Sequence, residues 1–352
     1  MKKTWSSILL VVATALVVLV GVDTGARRFV PPVNRREAED GLKDLANSNP
    51  DMVVLGSSHA RTLHVVGQEL SRRTRGSRNL VAIPLENGKI KVYDWILRNR
   101  IAPLLEETAS DGSLVRGRIK EFMLIIEWWD TCAPTKDGFA YSNLPSRAWR
   151  FEDFAADVAE SGLNGYNRNY LQNRMRRLFA ESGLVYDRLN QKLVENILDR
   201  LQGLSVEPSP EAVEQKVLNW RRMMEEGVSC IGSPSEIDAL RDVLNYVNAR
   251  GYETTILLFP RKPAVITERA KKTTLLKFAN MVREIAGPDV RVIDLTTKTP
   301  LKDEDFMEDF DHVNAEGNRK FATWVLDHDL SFLQQPPDVR HVRLSQQGSV
   351  RR

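Results

Sequence analysis

Cysteine is nearly missing from this chain: Cys132 and Cys230 are the only two, and no C-x-x-C pair occurs. That argues against a structural zinc site, whose tetrahedral ligand sets draw on closely spaced thiolates. No charge of one sign dominates either. Lys and Arg number 50, Asp and Glu 47, for a net charge of +3, and no basic run is interleaved with aromatics. The electrostatic footprint of a nucleic-acid protein is therefore lacking. No internal repeat is evident. No Lys follows Gly56 in the phosphate-loop pattern, which argues against phosphate or nucleotide binding at that corner.

What is present begins with an address. Lys2 and Lys3 precede Trp5, and Ile8 to Val22 is apolar apart from Thr14 and Gly21. With Trp5 included, the stretch approaches the ~20 residues that cross a bilayer. Thr24-Gly25-Ala26 is a weak cleavage site, so an uncleaved signal-anchor over residues 1–26 is expected in preference to a removed signal peptide. Lys2 and Lys3 favour a cytoplasmic N-terminus, while Arg27, Arg28, Arg35 and Arg36 pull the other way. A basic and apolar N-terminal segment usually exports the chain behind it. The expectation is a single membrane span with the bulk of the chain outside the cytoplasm, periplasmic or extracellular. Residues 27–49, with Pro31 and Pro32, read as a juxtamembrane linker running into a short amphipathic helix.

With 352 residues, 42% of them hydrophobic, the chain can bury a sizeable core. Short apolar runs at Met52–Leu55, Leu80–Ile83, Glu121–Ile126, Thr254–Phe259 and Val290–Leu295 read as strands. Helical spacing fills the intervals: Ala60–Leu70, Ile90–Leu105, Ser235–Arg250 with Ser235 as N-cap, Ala264–Ile285 and Ala315–Asp327. Strands separated by helices imply a parallel sheet with helices on both faces. Strand patterns stop between Ala133 and Pro234. The charged segment Phe151–Val228, with Leu189, Leu193, Ile197 and Leu201 on one face, reads as a helical insertion or lid. The expected plan is an α/β core in two parts, 50–132 and 235–333, around an insertion at 133–234. A polar, Pro/Gln/Arg-rich tail at 334–352 is expected to be disordered. Cys132 and Cys230 bracket the insertion. An oxidising compartment would let them pair and staple its base, but isolated cysteines more often stay free.

Two stretches carry chemistry. Gly56-Ser57-Ser58-His59 breaks the first strand just before a helix, the corner where open α/β sheets place their ligands. A hydroxyl there sits beside amide groups that have no helical partner, and it reads as a nucleophile. The bland alternative is loop and N-cap chemistry. The second stretch is Asp309-Phe310-Asp311-His312-Val313-Asn314. Asp309 lies three residues before His312, so a turn can bring its carboxylate to Nδ1 and fix the tautomer. Both stretches follow strand C-terminal ends, on one edge of a parallel sheet. His59 is read mainly as an exposed helix-start residue, Asp311 as a solvated neighbour, and Arg61 as a surface group. Trp128 and Trp129, beside Glu127 and Asp130 at a strand end, are either packing or a sugar-binding wall.

Together the two stretches resemble the first and last blocks of the SGNH/GDSL hydrolase superfamily, and Asp311-His312-Val313-Asn314-x-x-Gly317-Asn318-x-x-Phe321-Ala322 adds to the likeness. The family's first block is Gly-Asp-Ser, so Ser58 matches its nucleophile and Ser57 stands in place of the aspartate. Asp309 and His312 match its acid and base, and Gly88 is placed as its oxyanion glycine. Glu127-Trp128-Trp129-Asp130 occupies the position of its Gly-x-Asn-Asp block. The resemblance implies a flavodoxin-like five-stranded parallel sheet and a Ser-His-Asp centre that needs no cofactor or metal. Ser57, His59, Trp128 and Asp130 would line its substrate site. An exported, anchored form with a Gly-Ser-Ser start looks most like the cell-envelope branch, which includes proteins of alginate O-acetylation and teichoic-acid D-alanylation. The activity so implied is hydrolysis or transfer of an acyl group, acetyl preferred, on an envelope or extracellular polysaccharide. A place in a polysaccharide-modification complex would fit the same branch. The alternative is a non-catalytic envelope protein of the same fold that binds glycan or scaffolds such a complex.

Overall fold

The computed structural model describes residues 36–48, 50–85, 88–105, 119–132, 155, 158–159, 210–307 and 309–335. The expected membrane span, most of the expected insertion and the tail lie outside them. Among the described residues, no helix is long and apolar enough to cross a membrane. The chain divides into two compact units. One comprises residues 37–135 and 213–352 and carries the sheet, and the other comprises residues 1–36 and 136–212.

Five strands form a single, wholly parallel sheet: β1 (Met52–Ser57), β2 (Leu80–Leu85), β3 (Glu121–Ile126), β4 (Glu253–Leu258) and β5 (Arg291–Asp294), in the order β2-β1-β3-β4-β5. Val54 faces Ala82 on one side and Met123 on the other, and Leu124 faces Ile256. Every residue of β1, β2 and β3 is buried. That is why these strands read as unbroken apolar runs: a parallel sheet is covered on both faces. Edge strand β5 is the partly exposed one.

The longer helices among the described residues are α1 (Arg36–Asn47), α2 (Thr62–Arg73), α3 (Ile90–Ile96), α4 (Pro210–Glu226), α5 (Pro234–Ala249), α6 (Leu276–Ala286) and α7 (Ala315–Asp327). Right-handed crossovers fix their sides. The chain moves one way from β1 to β2 and the opposite way from β2 through β5. Helix α2 therefore covers one face, and α3, α5 and α6 cover the other. Contacts agree: α7 packs on α2, and α5 packs on both α3 and α6. The α2/α7 face buries Met52, Val54, Met123, Ile125 and Leu257 under Leu63, Val66, Leu70, Phe321 and Val325.

Two helix starts and one pairing differ from expectation. The first helix turn after β4 begins at Glu268, where the Thr267 hydroxyl accepts from the amide of Ala270. Pro263 upstream sits in a separate short turn, Pro263–Val265. Helix α5 starts at Pro234 after Ser233, so Ser235 is not the N-cap; proline is preset for the first helical position. Cys132 and Cys230 are joined in a disulfide, where isolation in sequence favoured free thiols.

The strand order reverses between β1 and β3, and that switch opens a crevice at their C-terminal ends, where open α/β sheets bind ligands.

Candidate active site

Strand β1 delivers the serines. After Ser57 the chain tightens into a 3-10 turn, Ser58–Arg61, before α2 begins. Gly56 makes this approach feasible. A Cβ there would stand 2.5 Å from Ile125 Cβ and 2.8 Å from the Ile125 carbonyl oxygen, so β1 and β3 meet only over a bare backbone.

The last loop delivers the acid and base. The Met307 amide donates to the His312 carbonyl at 2.8 Å, and the Phe310 amide to the Met307 carbonyl at 3.1 Å. Phe310 sits at φ +64°, a left-handed conformation that a side chain of this size seldom adopts. Asp309 Oδ1 accepts the amides of Asp311 and His312, each at 2.9 Å. Its other oxygen is thereby aimed at the imidazole. Asn314 closes the loop by capping α7, accepting the Gly317 amide at 2.9 Å.

Ser58 Oγ lies 2.7 Å from His312 Nε2, and His312 Nδ1 lies 2.7 Å from Asp309 Oδ2. A carboxylate only accepts, so Nδ1 carries the proton, and Nε2 is left to accept from the serine hydroxyl. Burial is the largest influence on His312 and lowers its pKa below the ordinary 6.5. Asp309 pulls the other way without overcoming it. Burial pushes Asp309 up, but the bonds from the His312 amide and ring outweigh it, and its pKa falls below the usual value. At neutral pH this is an ionised acid, a neutral base and a hydroxyl in line.

The other expected residues gather beside this relay. Ser57, Ser58, His59, Gly88, Trp128 and Asp130 all line one cavity of about 330 Å3. Trp128 is buried, with its ring against Gly227, whereas Trp129 is 43% exposed. The two indoles meet edge to face at 5.5 Å. Lys89 covers Trp129, 4.3 Å from the ring centroid, and its ammonium donates to the Trp129 carbonyl. Asp130 accepts from the Glu127 amide at 2.9 Å and from the Tyr93 hydroxyl at 3.1 Å, and burial lifts its pKa to about 7. Gly88 differs from its expected part: its amide donates to the Leu85 carbonyl at 2.9 Å and does not stand free for an oxyanion.

Two other readings change. His59 is buried, not an exposed helix start, and Asp311 is ion-paired with Arg261, not merely solvated. Arg261 also pairs with Glu127, and burial brings its pKa down to about 9, still cationic at neutral pH. Sequence reasoning missed Arg261, Trp220, Asn219 and Met223 on this cavity. Arg261 had a signal, since it follows β4 on the same sheet edge. Trp220 had none, being one aromatic in a charged helix.

Donor atoms of His59, Asp311 and His312 lie within 4.8 Å of one another, a spacing that suits a cation. Each is already engaged. A cation there would displace Arg261 from Asp311 and break the Ser58–His312 bond, so the donor set fits a metal poorly.

No protein-family model matches the chain, and no curated protein matches it in sequence.

Proposed function

We propose that this protein is an SGNH-type acyl-ester hydrolase or O-acyltransferase acting on an acylated polysaccharide of the cell envelope or extracellular space. The observation that carries the reading is the continuous relay from Ser58 through His312 to Asp309, two contacts of 2.7 Å each. In it, Ser58 attacks the acyl carbonyl while His312 accepts its proton. Asp309 stabilises the resulting imidazolium, and His312 returns the proton to the leaving alcohol. The acyl group then passes to water or to a sugar hydroxyl. The Ser58 amide serves the oxyanion. A sugar is supported as the alcohol by the indole wall, because Trp129, 43% exposed, stands at the cavity edge beside Trp128.

The same reading places a signal-anchor at residues 1–26, a helical insertion after the first half of the sheet and the catalytic unit outside the cytoplasm. The Cys132–Cys230 disulfide supports the last point, since such bonds persist in oxidising compartments. Partners would be the membrane, the glycan and a polysaccharide-modification complex.

One observation favours a second reading, a non-catalytic glycan-binding protein of this fold. The Gly88 amide is committed to Leu85, and the loop after β3 has no Gly-x-Asn-Asp block, which leaves the oxyanion donors sparse. The deciding experiment uses purified full-length protein with p-nitrophenyl acetate and a fluorophosphonate probe. Wild type should turn over the ester and label, and Ser58→Ala should do neither, a loss of about 1,000-fold or more. Turnover unchanged in Ser58→Ala would rule the mechanism out, and an inert wild type that still binds glycan would favour the second reading.

A further inference from the structure

We propose that His59 is a positioning residue for the His312–Asp309 pair, acting through the carbonyl of Asp311. The assignment rests on the proposed hydrolase function. His59 is only 3% exposed, although it sits in a polar corner directly after Ser58. Its Nε2 lies 3.0 Å from the carbonyl oxygen of Asp311. Its Nδ1 lies 3.1 Å from Ser57 Oγ and against a carboxylate oxygen of Glu127. Burial first, and the Arg261 charge second, hold the pKa of this imidazole well below 6.5, so the ring is neutral and carries one N–H. On the Nε2 side there are only acceptors, the carbonyl and the carboxylate of Asp311. The Nδ1 side carries the one group able to donate, the Ser57 hydroxyl, beside a Glu127 carboxylate that is paired with Arg261. The proton is therefore assigned to Nε2, donated to the carbonyl, with Nδ1 accepting from Ser57.

That bond grips the turn at its useful point. Asp311 stands between Asp309 and His312, and its amide is itself held by Asp309 Oδ1 at 2.9 Å. Fixing its carbonyl fixes both neighbours. The His59 ring also lies parallel to the His312 ring, with centroids 5.0 Å apart and planes 9° apart, and Phe259 backs His59 at 5.0 Å. The catalytic imidazole thus rests on a flat, buried surface. Arg261 completes the brace by bonding Glu127 and the Asp311 carboxylate together. His59 follows the end of β1, Glu127 the end of β3 and Arg261 the end of β4. Three central strands hence grip the one loop that carries the acid and base.

Three variants of the full-length protein test this. His59→Gln sets an amide N–H where the Nε2–H stood, His59→Asn reaches only the Nδ1 position, and His59→Leu offers neither. For ester hydrolysis, kcat should stay near wild type in His59→Gln and fall about 100-fold in the other two, the cost of a base displaced by roughly 1 Å. His59 also lines the cavity, but the indole wall is unaltered, so kcat should fall by a larger factor than KM rises. The downfield Nδ1–H proton resonance of the His312–Asp309 pair should persist in wild type and His59→Gln and vanish in His59→Asn and His59→Leu. Thermal midpoints identify a variant that fails to fold. If His59→Leu does not fold, the contrast of Gln with Asn carries the comparison. Equal kcat in all variants, or a loss in His59→Gln as deep as in His59→Asn, would overturn the proposal. Should wild type neither turn over ester nor label, the hydrolase reading fails instead, and the resonance still decides whether His59 holds the pair.

Discussion

His312 is the group that a pH profile of the proposed reaction would report. Its pKa sits below the ordinary 6.5, chiefly through burial. The base is active only when neutral, so kcat/KM for ester hydrolysis should fall on the acid side with a midpoint below 6.5. A midpoint at neutral pH or above would contradict the geometry. Asp309→Asn should keep the shape but lose the tautomer, with kcat down about 1,000- to 10,000-fold in steady-state assays. Asp130 gives a separate prediction about stability. Burial raises its pKa from 3.8 to about 7. Between those values the folded state keeps a proton that the unfolded chain has released, so stability declines as pH rises through that window. Asp130→Asn removes the exchange. In denaturant melts at about pH 5 and pH 8, wild type should lose roughly 3 kcal/mol that the variant does not lose. At this scale Ser58, Asp309 and His312 were legible because short local patterns carry them. His59 and Asp311 were misjudged because Glu127 and Arg261, which bury and pair them, stand far away in sequence, and spacing says nothing of such partners.

Among elements, the meeting of β1 and β3 governs the site. Gly56→Ala would set a methyl 2.5 Å from Ile125 Cβ and 2.8 Å from its carbonyl oxygen, and neither belongs to a flexible side-chain end. The strands must part, and Ser58, two residues on, must shift away from His312. A stability loss of about 1–3 kcal/mol in urea melts is expected, with ester turnover falling further than that loss explains. Full turnover in a folded Gly56→Ala protein would show that the corner tolerates spreading. Strands β1, β2 and β3 were readable because covering a parallel sheet on both faces demands near-continuous apolar runs, and the edge strand β5 by its two apolar residues between charged ones. Helix starts were less so. A proline at the first position moved α5, and proline-rich backbone after β4 delayed the next helix to Glu268. The part of α4 on the cavity, with Asn219, Trp220 and Met223, carried no periodic mark that distinguishes a site wall from a solvated helix.

For the whole molecule, the strand order sets where the crevice opens, and the disulfide determines how firmly one wall of it is held. Cys132 follows the turn that carries Trp128, Trp129 and Asp130, and Cys230 lies just beyond α4, which carries Trp220 and Met223. Their Cα atoms are 4.8 Å apart across a sequence separation of 98, a proximity that spacing alone cannot reveal. Closing so long a loop restricts the unfolded chain strongly, so Cys132→Ser with Cys230→Ser should lower stability by about 2–5 kcal/mol. The bridge joins two walls and touches none of the three proposed catalytic groups. Its loss should therefore raise KM for a glycan ester more than it lowers kcat, and added reductant should reproduce both effects in wild type. Thermal melts and steady-state kinetics, each with and without reductant, check this. If reductant shifts neither the midpoint nor KM, the walls are held by packing alone, with Trp128 on Gly227 as the contact that carries it.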